Sequence, residues 1–196
     1  MSLFGHARFD RAVFGKADLP PDRSIEVAIA GRSNAGKSSA LNVLLSQRQL
    51  ARVSKKPGRT QAIHFFCLGG SRYLVDLPGY GYAATSRTKR EQWDELMTIY
   101  LLNRASLRGL LLVCDIRRSL LELDHQLLQW FAKTCRPVHI LLTKADKLST
   151  SQADGALSRV SQELSSTQPG VSVQLFSSLN RSGVDAARGV IARWMQ

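Results

Sequence analysis

Cysteine is scarce and scattered in this chain: Cys67, Cys114 and Cys135 are odd in number, lie in separate apolar segments and form no C-x-x-C pair. That excludes a disulfide framework or a cysteine zinc site as the organising principle and predicts reduced core thiols. His6, His64, His125 and His139 are dispersed as well, with no ligand-like spacing, so no metal is assigned to histidine. No apolar run approaches the ~20 residues of a membrane-spanning helix; a run such as Leu110 to Cys114 has the length of a strand. The first residues set Arg8, Asp10 and Arg11 among Phe4, Phe9 and Phe14 without an apolar h-region, so a secretory signal is not expected and a cytoplasmic location is. Acidic residues are also in short supply. The 15 Asp plus Glu stand against 27 Lys plus Arg, a net charge of +12 that favours polyanionic partners such as RNA or an anionic membrane.

What is present fits one globular domain. A length of 196 residues suffices for a sizeable core without disulfides, and 44% hydrophobic against 21% charged residues excludes a largely disordered chain. There are no internal repeats, heptads or low-complexity tracts. Asp18-Leu19-Pro20-Pro21-Asp22 reads as a linker, which predicts an N-terminal arm over residues 1–22 and a domain over 23–196. Beyond it, short apolar runs alternate with amphipathic stretches. Strands are expected near 25–30, 62–68, 72–76, 109–115, 138–143 and 171–176; helices are expected near 37–47, 88–104, 122–135, 151–166 and 183–195. The alternation predicts a three-layer α/β domain, with six mostly parallel strands and helices on both faces. Gly69-Gly70-Ser71 marks a hairpin turn, making 62–68 an antiparallel edge strand. Ligands in such folds bind outside the carboxyl ends of the strands.

Gly31-Arg32-Ser33-Asn34-Ala35-Gly36-Lys37-Ser38 fits G-x-x-x-x-G-K-[ST] and falls between the run Ile25 to Ala30 and a helical stretch, where a phosphate-cradling loop belongs. Its N–H groups and the positive end of the following helix suit a phosphate chain. Lys37 is expected to reach the β- and γ-phosphates, and Ser38 to offer a hydroxyl to Mg²⁺. Asp76-Leu77-Pro78-Gly79 ends the third expected strand. Asp76 suits Mg²⁺ through a water-mediated contact, and the Gly79 N–H suits a γ-phosphate. In the basic loop Lys55-Lys56-Pro57-Gly58-Arg59-Thr60, Thr60 offers a second hydroxyl to Mg²⁺. A triphosphate holds both loops and a diphosphate releases them, which is a switch.

Thr143-Lys144-Ala145-Asp146 follows the fifth expected strand and is selective in its chemistry. Guanine N1–H and N2 amine are adjacent donors that one carboxylate, Asp146, can accept together; adenine has no proton at N1. Lys144 can lay its aliphatic stem across the base. Phe176-Ser177-Ser178-Leu179 closes the last strand, where backbone N–H groups suit guanine O6.

The strings Gly31 to Ser39, Pro57-Gly58-Arg59-Thr60-Gln61, Asp76-Leu77-Pro78-Gly79-Tyr80-Gly81-Tyr82-Ala83 and Leu142-Thr143-Lys144-Ala145-Asp146-Lys147 resemble those of a translation-factor-class P-loop GTPase, and in their longer form the EngB family. The likeness runs from about Asp18 to the C-terminus. It implies a small bacterial GTPase, cytoplasmic, that engages a precursor of the large ribosomal subunit, with a further association to cell division and septation; the sequence itself gives no reason to expect a stable oligomer, so a monomer is expected. Its implied catalytic residues are Lys37, Thr60 and Gly79. Its implied nucleotide-binding residues are those of 31–39, with Gly58, Arg59, Thr60, Asp76, Leu77, Pro78, Gly79, Thr143, Lys144, Asp146, Phe176, Ser177 and Ser178; Ser38, Thr60 and Asp76 are the implied Mg²⁺ set.

Two departures matter. Thr143 stands where the general N-K-x-D pattern has asparagine, which removes a side-chain amide contact to the base. Tyr80 follows Gly79 where Ras-like enzymes carry a water-orienting glutamine, so intrinsic hydrolysis is expected to be slow, on the order of 10⁻⁴ s⁻¹, with a partner able to add up to about 10⁵-fold. That assistance amounts to about 7 kcal/mol. Asn34, inside the phosphate loop, is a candidate ligand for K⁺; its competing role is to tolerate a tight backbone.

The leading expectation is therefore a GTP-switched assembly factor meeting ribosomal RNA through Arg48, Arg52, Lys55, Lys56, Arg87, Lys89 and Arg90. A regulator of division at an anionic membrane is the rival, opposed by the lack of a lipidation motif or a basic amphipathic helix. A P-loop ATPase is opposed by Asp146. Trp93, Tyr100 and Trp130 are expected to pack as helical core, whereas Tyr80 and Tyr82 are expected in an open, glycine-rich loop.

Overall fold

A computed structural model describes residues 3–47, 50, 62–81, 95–168 and 170–196. Among these lie seven strands: β1 (Arg8–Val13), β2 (Ile25–Gly31), β3 (Ile63–Gly69), β4 (Arg72–Asp76), β5 (Leu107–Asp115), β6 (Val138–Thr143) and β7 (Val171–Leu175). The helices are α1 (Lys37–Leu44), α2 (Glu122–Ala132), α3 (Thr150–Thr167) and α4 (Val184–Trp194), with a π-helical turn over Ile99–Asn103. The sheet order is β1-β3-β4-β2-β5-β6-β7. β1 and β4 each pair antiparallel with β3, and the remaining pairings are parallel.

β2, β5 and β6 read as near-continuous apolar runs because both of their faces are covered. The two-residue period then sorts their side chains. Ala28, Ala30, Leu110, Leu112, Ile140 and Leu142 meet Leu128 and Phe131 of α2 and Ala153, Ala156, Val160 and Leu164 of α3. Val27, Ile29, Leu111, Val113 and Leu141 face the other way, onto Leu41 and Leu44 of α1 and Val184, Ala187 and Ile191 of α4. Each fully buried Leu or Ile contributes about 1.5–3 kcal/mol by leaving water. α3 is started by Ser149, whose Oγ accepts the Gln152 N–H at 3.3 Å while Gln152 Oε1 accepts the Ser149 N–H at 3.1 Å.

Below the sheet's amino end, the fully buried Glu26 accepts Arg104 Nε at 2.6 Å, Arg104 Nη2 at 2.7 Å and the Tyr100 hydroxyl at 2.9 Å. Asp22 caps the next turn, accepting the N–H groups of Ala105 and Ser106 at 2.8 and 2.7 Å.

The sheet holds one strand more than the alternation of runs indicates. β1 lies within residues 1–22, paired to β3 with a bulge between Phe9 and Arg11, and Phe4 and Ala7 are buried. The antiparallel edge is therefore β1 rather than β3. β1 escapes pattern reading because Arg8, Phe9, Asp10 and Arg11 are all exposed, which leaves it no apolar alternation. Tyr100 is core, but Trp130 is 41% exposed, contrary to the expectation of helical packing; it sits on the outer face of α2. Cys114 is buried, Cys67 half-buried and Cys135 exposed, all free thiols, so only Cys114 is a true core thiol. Trp93 and Tyr82 lie outside the described residues.

Candidate functional site

β2 ends at Gly31, the chain turns through Arg32 to Gly36, and α1 begins at Lys37. The two glycines are needed for different reasons. Gly31 is still strand, and a Cβ there would lie 2.7 Å from the Val113 carbonyl oxygen of neighbouring β5. Gly36 caps α1 in the left-handed region at φ 97°, where L side chains are strained. Asn34 is left-handed too, at φ 67°, a conformation its short polar side chain tolerates.

Two carbonyls of this loop, those of Asn34 and Ala35, are tied by the end of β6 and the residue after it. Thr143 Oγ1 lies within hydrogen-bond distance of the carbonyl oxygens of Ala35 (2.5 Å) and Cys114 (3.0 Å). Lys144, left-handed at φ 60°, donates its ammonium to the Asn34 carbonyl at 2.7 Å and to Asp115 Oδ2 at 2.9 Å. Thr143 thus ties the loop from the position where the general pattern has asparagine. A cavity of about 220 Å³ opens here, with Arg32, Ser33, Asn34, Asp115, Arg117 and Lys144 among its walls.

Asp146 is held from the last loop. Its Oδ1 accepts the Ser177 hydroxyl at 2.6 Å and its Oδ2 lies 3.5 Å from Lys147 Nζ. The Ser177 hydrogen bond is the main cause holding the Asp146 carboxyl below its ordinary value, so it is ionised at neutral pH and suited to accept two donors from a base edge. Phe176 is core, and its N–H is used by the Leu142 carbonyl, as the Ser177 N–H is by the Ser182 carbonyl. Among the three residues Phe176 to Ser178, only Ser178 lacks an internal partner for its N–H among the described residues.

On the other side of the loop, Lys37 Nζ is ion-paired with Asp76 Oδ1 at the end of β4, both side chains 11% exposed. Asp76 Oδ2 lies 3.9 Å from His64 Nδ1. Burial pushes the His64 pKa down, and the Lys37 charge adds to that effect while Asp76 opposes it. Leu77 is core, with its N–H given to the Ile29 carbonyl at 3.0 Å, and Pro78 is buried; of Asp76 to Gly79 only the glycine is exposed. Ser38 is half-buried at the start of α1 and Ser39 exposed.

Tyr80 departs from the open loop expected of it. Its carbonyl accepts the Ser33 N–H at 3.2 Å, its backbone bridges to Arg32, and its hydroxyl donates to Asp124 Oδ1 in α2. Burial, with the Asp124 charge, pushes the Tyr80 pKa up. Arg32 Nε is buried without a hydrogen-bond partner among the described residues.

Gly58, Arg59 and Thr60 lie outside the described residues, as do Arg48, Arg52, Lys55, Lys56, Arg87, Lys89 and Arg90. The loop Gly31 to Ser38, Asp76 to Gly79 and Thr143 to Asp146 gather at the carboxyl ends of β2, β4 and β6. Sequence reasoning missed Asp115 and Asp124. The first had a signal, an acid ending an apolar strand two residues before an arginine; the second, 44 residues from Tyr80, had none. Among the described residues no cluster of three or more His, Cys, Asp or Glu could hold a metal, and no helix is long and apolar enough to cross a membrane.

Residues 26–144 match a family described as 50S ribosome-binding GTPase. The chain is 51% identical over 195 residues to the probable GTP-binding protein EngB of Methylobacillus flagellatus, covering 100% of this chain and 94% of that one. With the corresponding protein of Nitrosomonas europaea it shares 52% identity over 192 residues, 98% of this chain and 86% of the other. In fold it is similar to the crystal structure of a probable GTP-binding protein engB, at a TM-score of 0.68 and 19% identity over 87% of this chain and 98% of that. Era, solved in complex with MgGDPNP and nucleotides 1506–1542 of 16S ribosomal RNA, gives a TM-score of 0.68 and 22% identity over 87% of this chain and 56% of that one. The loop Gly31 to Ser38 joined to the segment Thr143 to Asp146, on this sheet and among these relatives, leads to one conclusion: the chain belongs to the EngB family of GTP-binding proteins, P-loop GTPases.

Proposed function

We propose that this protein is a slow GTPase that serves as a nucleotide-switched assembly factor for the large ribosomal subunit. The observation that carries this reading is the match of residues 26–144 to a family described as 50S ribosome-binding GTPase. The net charge of +12 supports it, since a basic protein is drawn to RNA phosphate. The GTPase domain in this reading is residues 23–196 together with β1, which joins the same sheet, and the location is cytoplasmic.

Asp146 accepts guanine N1–H and N2–H, and the stem of Lys144 covers the base. The N–H groups of Asn34, Gly36, Lys37 and Ser38 cradle the phosphates, those of Ser33 and Ala35 being held by the Tyr80 and Arg32 carbonyls, and the Lys37 ammonium leaves Asp76 for the β- and γ-phosphates. The residues present fit Mg²⁺: Ser38 and Asp76 supply a hydroxyl and a buried carboxylate, the sparse oxygen set that Mg²⁺ takes beside nucleotide phosphates, with Thr60 as a third. When bound, Mg²⁺ neutralises charge on the β- and γ-oxygens. Asn34 is the candidate K⁺ ligand; equal hydrolysis in K⁺ and Na⁺ buffers would remove that role.

Hydrolysis is slow in this reading because the Tyr80 hydroxyl is engaged with Asp124 and replaces no water-orienting amide. Sedimentation with large-subunit precursors tests the whole: the GTP-analogue form should pellet with them and the GDP form should not, with log affinity falling by roughly 0.7–0.9 per phosphate contact per decade of salt. Equal pelleting of both forms would end the proposal.

A further inference from the structure

We propose that Asp115 is a positioning residue for nucleotide binding, its carboxylate holding the Lys144 ammonium against the outer carbonyl of the phosphate loop so that base and phosphate contacts form together. The inference deepens the reading of Lys144 as the residue that covers the base, and rests on it.

Asp115 is the last residue of β5 and only 7% exposed. Its Oδ2 accepts Lys144 Nζ at 2.9 Å and Arg117 Nη2 at 2.7 Å; its Oδ1 accepts Arg117 Nε at 3.0 Å and the Arg117 N–H at 3.1 Å. These bonds, led by the Arg117 fork, hold the Asp115 carboxyl well below the usual carboxylate range. Lysine is a compact charge on a flexible stem, and a neutral carbonyl orients it weakly. Lys144 Nζ has the Asn34 carbonyl at 2.7 Å on one side and a fixed anion on the other. The carboxylate selects, from many rotamers, the one that runs the stem past the phosphate loop. Arg117 is half-exposed and forks over both carboxylate oxygens, sharing Oδ2 with Lys144, and among the described residues it makes no hydrogen bond to the phosphate loop.

The test is mantGDP and mantGTP binding to the full chain carrying Asp115→Asn, Lys144→Met, both together, Lys144→Ala or Arg117→Ala. Asp115→Asn should weaken both nucleotides about 10- to 100-fold, the range of one lost charge-assisted hydrogen bond. The loss should appear in Kd and dissociation rate rather than in single-turnover hydrolysis at saturation. In the Lys144→Met background, which keeps the stem and lacks the ammonium, Asp115→Asn should cost nothing further. Asp115→Glu should restore part of the affinity, which covers the case of a poorly folding amide variant. Unaltered Kd in Asp115→Asn, losses that multiply in the double variant, or a loss reproduced by Arg117→Ala and not by Lys144→Met would overturn the inference. Lys144→Ala with undiminished affinity would instead remove the base-contact reading itself, and the inference with it.

Discussion

The hydroxyl of Tyr80 and the carboxylate of Asp124 join the segment after Gly79 to the first turn of α2, and the other Asp124 oxygen accepts the Leu121 N–H at 2.9 Å. One buried acid therefore caps a helix and pins the segment whose carbonyl at Tyr80 accepts the Ser33 N–H of the Gly31 to Ser38 loop.

Tyr80→Phe leaves that buried oxygen without its donor and should destabilise the protein by about 1–3 kcal/mol in urea unfolding. Single-turnover GTP hydrolysis should change less than about twofold, because a hydroxyl spent on Asp124 orients no water; general-base or water-positioning roles of side chains are worth about 10²–10⁴-fold. A hundredfold fall in rate would return Tyr80 to the chemistry.

Ser177→Ala should raise the Asp146 pKa toward its ordinary 3.8, since the serine hydroxyl is the main cause that lowers it. A carboxylate with a depressed folded-state pKa contributes stability that is present above 3.8 and lost as pH falls through the depressed value, and in the proposed base-binding role of Asp146 the affinity for guanine follows the same ionisation. GDP titrations from neutral pH downward should lose affinity at a higher pH in the variant. Coincident midpoints would refute the assignment.

Arg104→Met strips Glu26 of its cation at a site where neither side chain is more than 5% exposed. Breaking such a pair costs about 3–5 kcal/mol. The double variant with Glu26→Gln should lose less, since no bare buried charge remains, and GDP affinity should hold in both at temperatures where they are folded. Chemical denaturation and mantGDP titration check the two halves.

Gly31→Ala places a methyl 2.7 Å from the Val113 carbonyl oxygen. Moving β2 away from β5 to relieve it should cost about 1–3 kcal/mol, the range for overpacking a tight interior. A melting temperature equal to that of the natural sequence would show that the strands have slack.

The parallel core was legible because β2, β5 and β6 are buried on both faces and so appear as uninterrupted apolar runs. The Gly69-Gly70-Ser71 turn made the β3–β4 pairing legible too. β1 was not, since exposure on both faces erases the periodicity that marks a strand. Gly31 to Ser38 and Thr143 to Asp146 stood out because their residue types and spacing follow fixed patterns, and the sheet does bring them to neighbouring strand ends. The residues that brace them obey no such rule. Asp115 and Asp124 act through folding partners 29 and 44 residues away, a proximity that only the sheet order creates. Trp130 misled for a related reason: helical spacing says which residues share a face, and only the neighbouring elements decide whether that face is covered.

β1 has one further consequence. An outermost strand offers a free row of amides and carbonyls to any second sheet, yet this one is short, is kinked by its bulge between Phe9 and Arg11, and is studded with Arg8, Asp10 and Arg11. A chain of net charge +12 thereby carries, at its most adhesive border, a built-in deterrent to zipping up with its own copies.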